Sequence, residues 1–264
     1  MTPPTQSLGS TLWSSELLHG LRCIIYPLKP SPTMDNRNLW SIILCVFSLI
    51  VPTSAFAQKT DFQSWTQVTA TVSLDPAKEW FAYAEAQPRI GDDVSRLERL
   101  LLRPALGYNV NEQVSLFLGY AWTPTFMNSS YQEDFRNESR IWQQVLIKHK
   151  MLGLDWQHRI RQEQRIIQDT GGTSNRTRYT LRGSYPLPGF DNFGLTGYNE
   201  LFVTENGVSG GPQGGFDRYR FFFGPYLNSG PVRYEAGYLG EYARQFGNDS
   251  RMIDAILVSA NINL

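Results

Sequence analysis

The chain is 264 residues long, with 24 basic and 24 acidic side chains and no net formal charge. That balance gives no electrostatic reason to expect nucleic acid as a partner. The two cysteines, Cys23 and Cys45, both precede residue 58, so neither a disulfide framework nor a thiolate site is expected beyond that point.

Residues 1–33 carry Pro3, Pro4, Pro27, Pro30 and Pro32 without a sustained period, and read as a disordered upstream extension before a true start at Met34. Met34-Asp35-Asn36-Arg37 gives a short cationic lead, and Leu39 to Val51 an apolar run too short to span a membrane. Ala55-Phe56-Ala57 then supplies a small-residue cleavage site before Gln58. Residues 34–57 are therefore expected to be a signal peptide cut between Ala57 and Gln58, leaving 58–264 as one exported domain.

Beyond the signal the chain alternates with period two. Eleven segments follow, near 61–74, 78–89, 96–110, 113–123, 138–151, 153–168, 175–187, 193–204, 216–227, 231–244 and 250–264. The cleanest is Val114 to Trp122, where Val114, Leu116, Leu118, Tyr120 and Trp122 share one face and Ser115, Phe117, Gly119 and Ala121 the other. Connections alternate between tight turns, at Asp75-Pro76-Ala77, Asn111-Glu112, Met151-Leu152 and Asn228-Ser229-Gly230, and longer polar loops at 124–137 and 205–215. In an exported chain this predicts an all-β fold, an antiparallel up-and-down transmembrane β-barrel in the bacterial outer membrane. Because single-chain bacterial barrels have even strand numbers, ten to twelve strands are expected, with twelve preferred. The last segment sets Met252, Asp254, Ile256, Val258, Ala260, Ile262 and Leu264 on one face, a pattern suited to the outer-membrane assembly machinery. Tyr108, Trp122, Tyr185, Tyr226, Tyr234 and Tyr242 fall near strand ends, where aromatic girdles would meet the lipid interface.

If the oily faces meet lipid, the opposite faces form an ionic network lining the lumen. Its candidate members are Glu85, Arg89, Arg99, Arg103, Glu138, Arg140, Glu163, Arg165, Arg178, Arg182, Arg220 and Glu241, joined by Arg159, Arg161, Arg233 and Glu235. Arginine predominates because one guanidinium can hold several carboxylates in fixed geometry. In the hairpin 138–168, pairing Lys150 with Gly153 would set Glu138 opposite Arg165, Arg140 opposite Glu163 and Lys148 opposite Asp155, so charge complementarity predicts that register.

Other motifs carry less. His149 and His158 fall in the outward phase of their strands, poor positions for a base or a metal ligand. The glycine-rich run Gly207 to Gly215 lacks the Lys-Ser/Thr ending of a phosphate cradle, and reads as an external loop. No catalytic residue, metal or cofactor is expected.

The segments Glu85-Ala86-Gln87-Pro88-Arg89, Leu102-Arg103-Pro104-Ala105-Leu106-Gly107-Tyr108, Gly119-Tyr120-Ala121-Trp122 and Glu138-Ser139-Arg140-Ile141-Trp142-Gln143-Gln144, with Trp65 and Arg178-Tyr179, resemble a bacterial family known only as a domain of unknown function. The resemblance covers 58–264. It implies export and a barrel, and carries no activity or catalytic residue. The expectation is a structural barrel or a narrow pore for small solutes, with outer-membrane lipid and the assembly machinery as partners. A barrel enzyme acting on lipid or surface polymer, and adhesion through loops 124–137 and 205–215, are the alternatives.

Overall fold

The structure is a computed structural model that describes residues 59–126, 135–244 and 250–264. The upstream extension, the signal segment, the cleavage point at Ala57 and Gln58, and most of the loop 124–137 lie outside them.

Among the described residues, thirteen strands form one sheet: β1 (Lys59–Ser73), β2 (Trp80–Gly91), β3 (Arg96–Asn109), β4 (Val114–Trp122), β5 (Thr125–Phe126), β6 (Phe135–Arg136), β7 (Glu138–Met151), β8 (Leu154–Ile167), β9 (Thr173–Pro186), β10 (Phe193–Thr204), β11 (Gly215–Ser229), β12 (Val232–Arg244) and β13 (Ser250–Asn263). Eleven of them close a barrel. Neighbours in sequence pair antiparallel, β4 pairs directly with β7, and the short β5 and β6 extend the edge beyond β3. β1 and β13 seal the ring in parallel, from Lys59 beside Arg251 to Thr71 beside Asn263.

Eleven lies within the expected range, but the parity argument for twelve does not hold. An odd number of sequentially antiparallel strands leaves the first and last running the same way, so only a parallel seam can close them. As a result β1 begins at the end carrying the longer loops, while β13 finishes at the end carrying the turns after β1, β3, β7 and β11.

Alternation explains why these segments are strands. On β7, Glu138, Arg140, Trp142, Gln144 and Leu146 are buried, while Ile141, Gln143, Val145 and Ile147 are exposed. The same period holds on β3, where Leu101 and Arg103 are buried and Leu102 and Leu106 exposed. Strands of 9 to 15 residues are long enough to cross a bilayer when tilted.

The β7–β8 hairpin departs from the charge-derived register. Met151 pairs with Leu154, which slides the ladder by two residues and sets Arg140 opposite Arg165, Trp142 opposite Glu163 and Lys150 opposite Asp155. Turn geometry decides this. Leu152 and Gly153 have φ of 55° and 75°, the pair of positive values that a two-residue type I′ turn needs. The inward face is unchanged, because a slide of two preserves the alternation.

The interior is not purely ionic. Trp65, Phe222, Leu239, Ile253, Ala255 and Leu257 form an apolar cluster along β1, β11, β12 and β13, against which Tyr198 packs. Fully burying a large apolar side chain contributes about 1.5–3 kcal/mol, so this cluster stiffens the wall that contains the parallel seam. Tyr226, expected in an interfacial girdle, is instead buried beneath Arg233, whose guanidinium lies 3.7 Å from its ring centre. Trp122 and Tyr234 do face outward.

Candidate functional site

The inward positions of β8 to β12 converge on Phe202, which is buried with four guanidiniums around its ring. Arg178, Arg220, Arg176 and Arg218 lie 4.6, 5.0, 5.3 and 5.5 Å from its centre. Carboxylates link these cations into a closed circuit. Arg176 donates to Glu163 at 2.5 Å and to Asp217 at 2.7 Å, and Asp217 meets Arg218 at 3.5 Å. Arg218 donates to Glu241 at 2.9 Å, Glu241 also accepts from Arg220, and Arg220 reaches Glu200 at 3.0 Å. Arg178 completes the circuit, donating to Glu200 and to Glu163, each at 2.7 Å. Alternating signs around an aromatic face let each buried ion contact two partners, which offsets the cost of removing it from water.

Three smaller groups tie the remaining walls. Glu138 accepts from Arg140 at 2.8 Å and from Arg165 at 2.5 Å, which neutralises the Arg140–Arg165 cross-strand pair. Glu85 accepts from Arg103 at 2.6 Å and from the Tyr83 hydroxyl at 2.7 Å. Glu235 accepts from Arg182 at 2.7 Å and Arg233 at 2.8 Å.

Two arginines are held differently. Arg89 lies 3.6 Å over the Trp65 ring and donates through Nε and Nη2 to the side-chain amide oxygen of Gln87. Arg161 repeats the device, 4.3 Å over Trp142, with Nε and Nη2 donating to Gln144. The nearest carboxylate oxygen to Arg161, on Glu163, is 4.0 Å away.

The space left between these groups is a cavity of about 950 Å³. It reaches the turn end at Glu112, Gln113, Lys150 and Asn263, and its lining holds more cations than carboxylates. A second space of about 110 Å³ lies toward the loop end, beside Gln63, Glu98, Arg244 and Arg251. Among the described residues, no group of three or more His, Cys, Asp or Glu side chains is placed to hold a metal ion. His149 and His158 stack on each other with centroids 5.2 Å apart, and His158 Nδ1 lies 2.8 Å from the Tyr179 hydroxyl.

Residues 62–252 match the family described as "Protein of unknown function (DUF2490)". The chain belongs to that family. An uncharacterised protein of Methylorubrum extorquens is 35% identical over 187 residues, covering 70% of this chain and 79% of its own. Among solved structures, LpxR from Salmonella typhimurium is similar over 70% of this chain and 83% of its own, with 7% identity and a TM-score of 0.40. A likeness at that level supports no transfer of activity.

In this DUF2490 barrel, every ionic residue singled out from alternation sits on an inward position, and all but Arg89 and Arg99 have a partner of opposite charge within 4.0 Å among the described residues. Sequence reasoning missed Glu200, Arg176, Asp217 and Arg218, which make half of the circuit around Phe202. Glu200 and Arg176 were findable, since they share the phase of Phe202 and Arg178. Asp217 was not, because it is buried by a register shift between Phe202 and Val203 that breaks the alternation.

Proposed function

We propose that the protein is exported to the bacterial outer membrane, inserts there as a barrel, and acts as a narrow pore for small solutes. The observation that carries this reading is the sidedness of the wall. Leu106, Leu116, Leu118, Ile141, Val145, Ile160, Leu201, Phe223, Ile256 and Val258 all expose more than a third of their surface on the outside, across successive strands. A monomer in water rarely exposes a contiguous apolar patch larger than about a few hundred Å², whereas acyl chains cover such a belt without cost. Outward aromatics toward the two rims, Trp80 and Tyr234 at the turn end and Phe62, Trp122 and Phe216 at the loop end, suit the two interfaces. The alternating last strand gives the assembly machinery an apolar edge to read.

The polar cavity open at the turn end favours a solute path over a solid strut. Reconstituted in planar bilayers, the purified protein is expected to give stepwise conductance, and Arg103→Ala or Arg140→Ala to change its ion selectivity. The closed circuit around Phe202 favours a second reading, a structural barrel. Absent conductance, with both variants only lowering heat stability, would select that reading.

A further inference from the structure

Three side chains, Arg89, Arg99 and Arg218, are the ones that both interior spaces touch, so they form the layer dividing the large cavity from the small one at the loop end. Arg89 and Arg99 are directly opposed across β2 and β3, next to the register shift at Arg89 and Ile90. Like charges placed directly opposite destabilise a sheet.

The other opposed arginine pairs are relieved. Glu138 bridges Arg140 and Arg165, and across from Arg161, Arg178 has Glu163 and Glu200. Arg89 and Arg99 have no carboxylate within 4.0 Å among the described residues; their neighbours are the neutral oxygens of Gln87 and Thr125. Arg218 adds a buried Nε–H without an acceptor. Local rules broken without compensation mark functional sites more often than defects.

We propose that this layer is a binding site for small oxyanions, the phosphate- or carboxylate-bearing solutes whose planar or tetrahedral oxygens match a guanidinium fork, and that it makes the pore anion-selective. The missing counter-charge is then the solute itself. The Trp65 face and Gln87 hold Arg89 in place while Nη1 stays available, and Thr125 fixes Arg99 through Nε alone. A cation reaching the same layer would meet the guanidiniums of Arg89 and Arg99, which no carboxylate pairs within 4.0 Å among the described residues, while the charge of Arg218 is already met by Asp217 and Glu241, and would be repelled. The selectivity claim rests on the pore reading; the binding claim does not.

The test uses the full chain in detergent and in planar bilayers, with inorganic phosphate as the probe at constant ionic strength. Calorimetric titration should detect phosphate binding to the wild type, weakened at least about tenfold in the Arg89→Gln/Arg99→Gln double variant. In bilayers under a salt gradient the wild-type reversal potential should show chloride preferred over potassium, and the double variant should lose that preference. The Arg89→Lys/Arg99→Lys variant guards against a folding defect, keeping the chloride preference while binding phosphate more weakly. Conductance without anion preference, or phosphate binding indifferent to both variants, overturns the proposal and leaves the pore standing. Phosphate binding that depends on Arg89 and Arg99 without any conductance keeps the site and removes the pore. Absence of both phosphate binding and conductance removes both.

Discussion

At the scale of single residues, burial decides which charges matter. Glu200 accepts from Arg178 at 2.7 Å, Arg159 at 2.8 Å and Arg220 at 3.0 Å with almost no contact with solvent. Glu200→Gln leaves these cations short of counter-charge, and breaking a buried ion pair costs about 3–5 kcal/mol. The thermal midpoint in detergent should fall accordingly. Lys150 and Asp155 meet at a similar distance, 3.3 Å, but the Lys150 side chain is 87% exposed. Exposed pairs contribute roughly 0–1 kcal/mol, so Lys150→Ala should leave the midpoint almost unchanged. Equal effects would mean that the interior is as well hydrated as the rim. The inward set from Glu85 to Glu241 was legible in the sequence because each member lies opposite an oily phase. Its pairing was not legible, because which carboxylate an arginine reaches depends on register and on long side chains crossing between strands.

At the scale of the elements, strand positions were readable and strand offsets were not. The period-two runs locate each barrel strand to within a few residues, yet charge complementarity misplaced β8 against β7 by two. A hairpin register is set by its loop, and Leu152 sits there at φ 55°, where a leucine carries a penalty of about 1–2 kcal/mol that asparagine and glycine largely avoid. Leu152→Asn should therefore raise resistance to denaturant by about 1 kcal/mol. A decrease in unfolding midpoint with an unchanged slope would contradict the type I′ assignment. Tyr226 teaches a related lesson: an aromatic near a strand end reads as a girdle residue, but its even position on β11, in phase with Phe222, turns it under Arg233.

At the scale of the whole molecule, the parallel seam and the sidedness of the wall belong together. Eleven strands close only if β1 runs alongside β13, and the apolar cluster of Trp65, Ile253, Ala255 and Leu257 packs against that seam from within. Strand number could not be settled by counting segments, since the parity rule argued against the count that the segments gave. Trp65→Ala removes both the seam's largest inward side chain and the ring beneath Arg89, and should cost about 3–5 kcal/mol, read as a lowered midpoint of barrel unfolding. The central claim is that ions are enclosed and apolar side chains face lipid. Its most direct test is a nitroxide scan along Ile141 to Ile147 of β7, in lipid vesicles, with Cys23 and Cys45 replaced by serine. Labels at 141, 143, 145 and 147 should be relaxed by oxygen dissolved in the bilayer, and those at 142, 144 and 146 should be shielded from it. The opposite phase, or oxygen access with no period of two, would contradict the account.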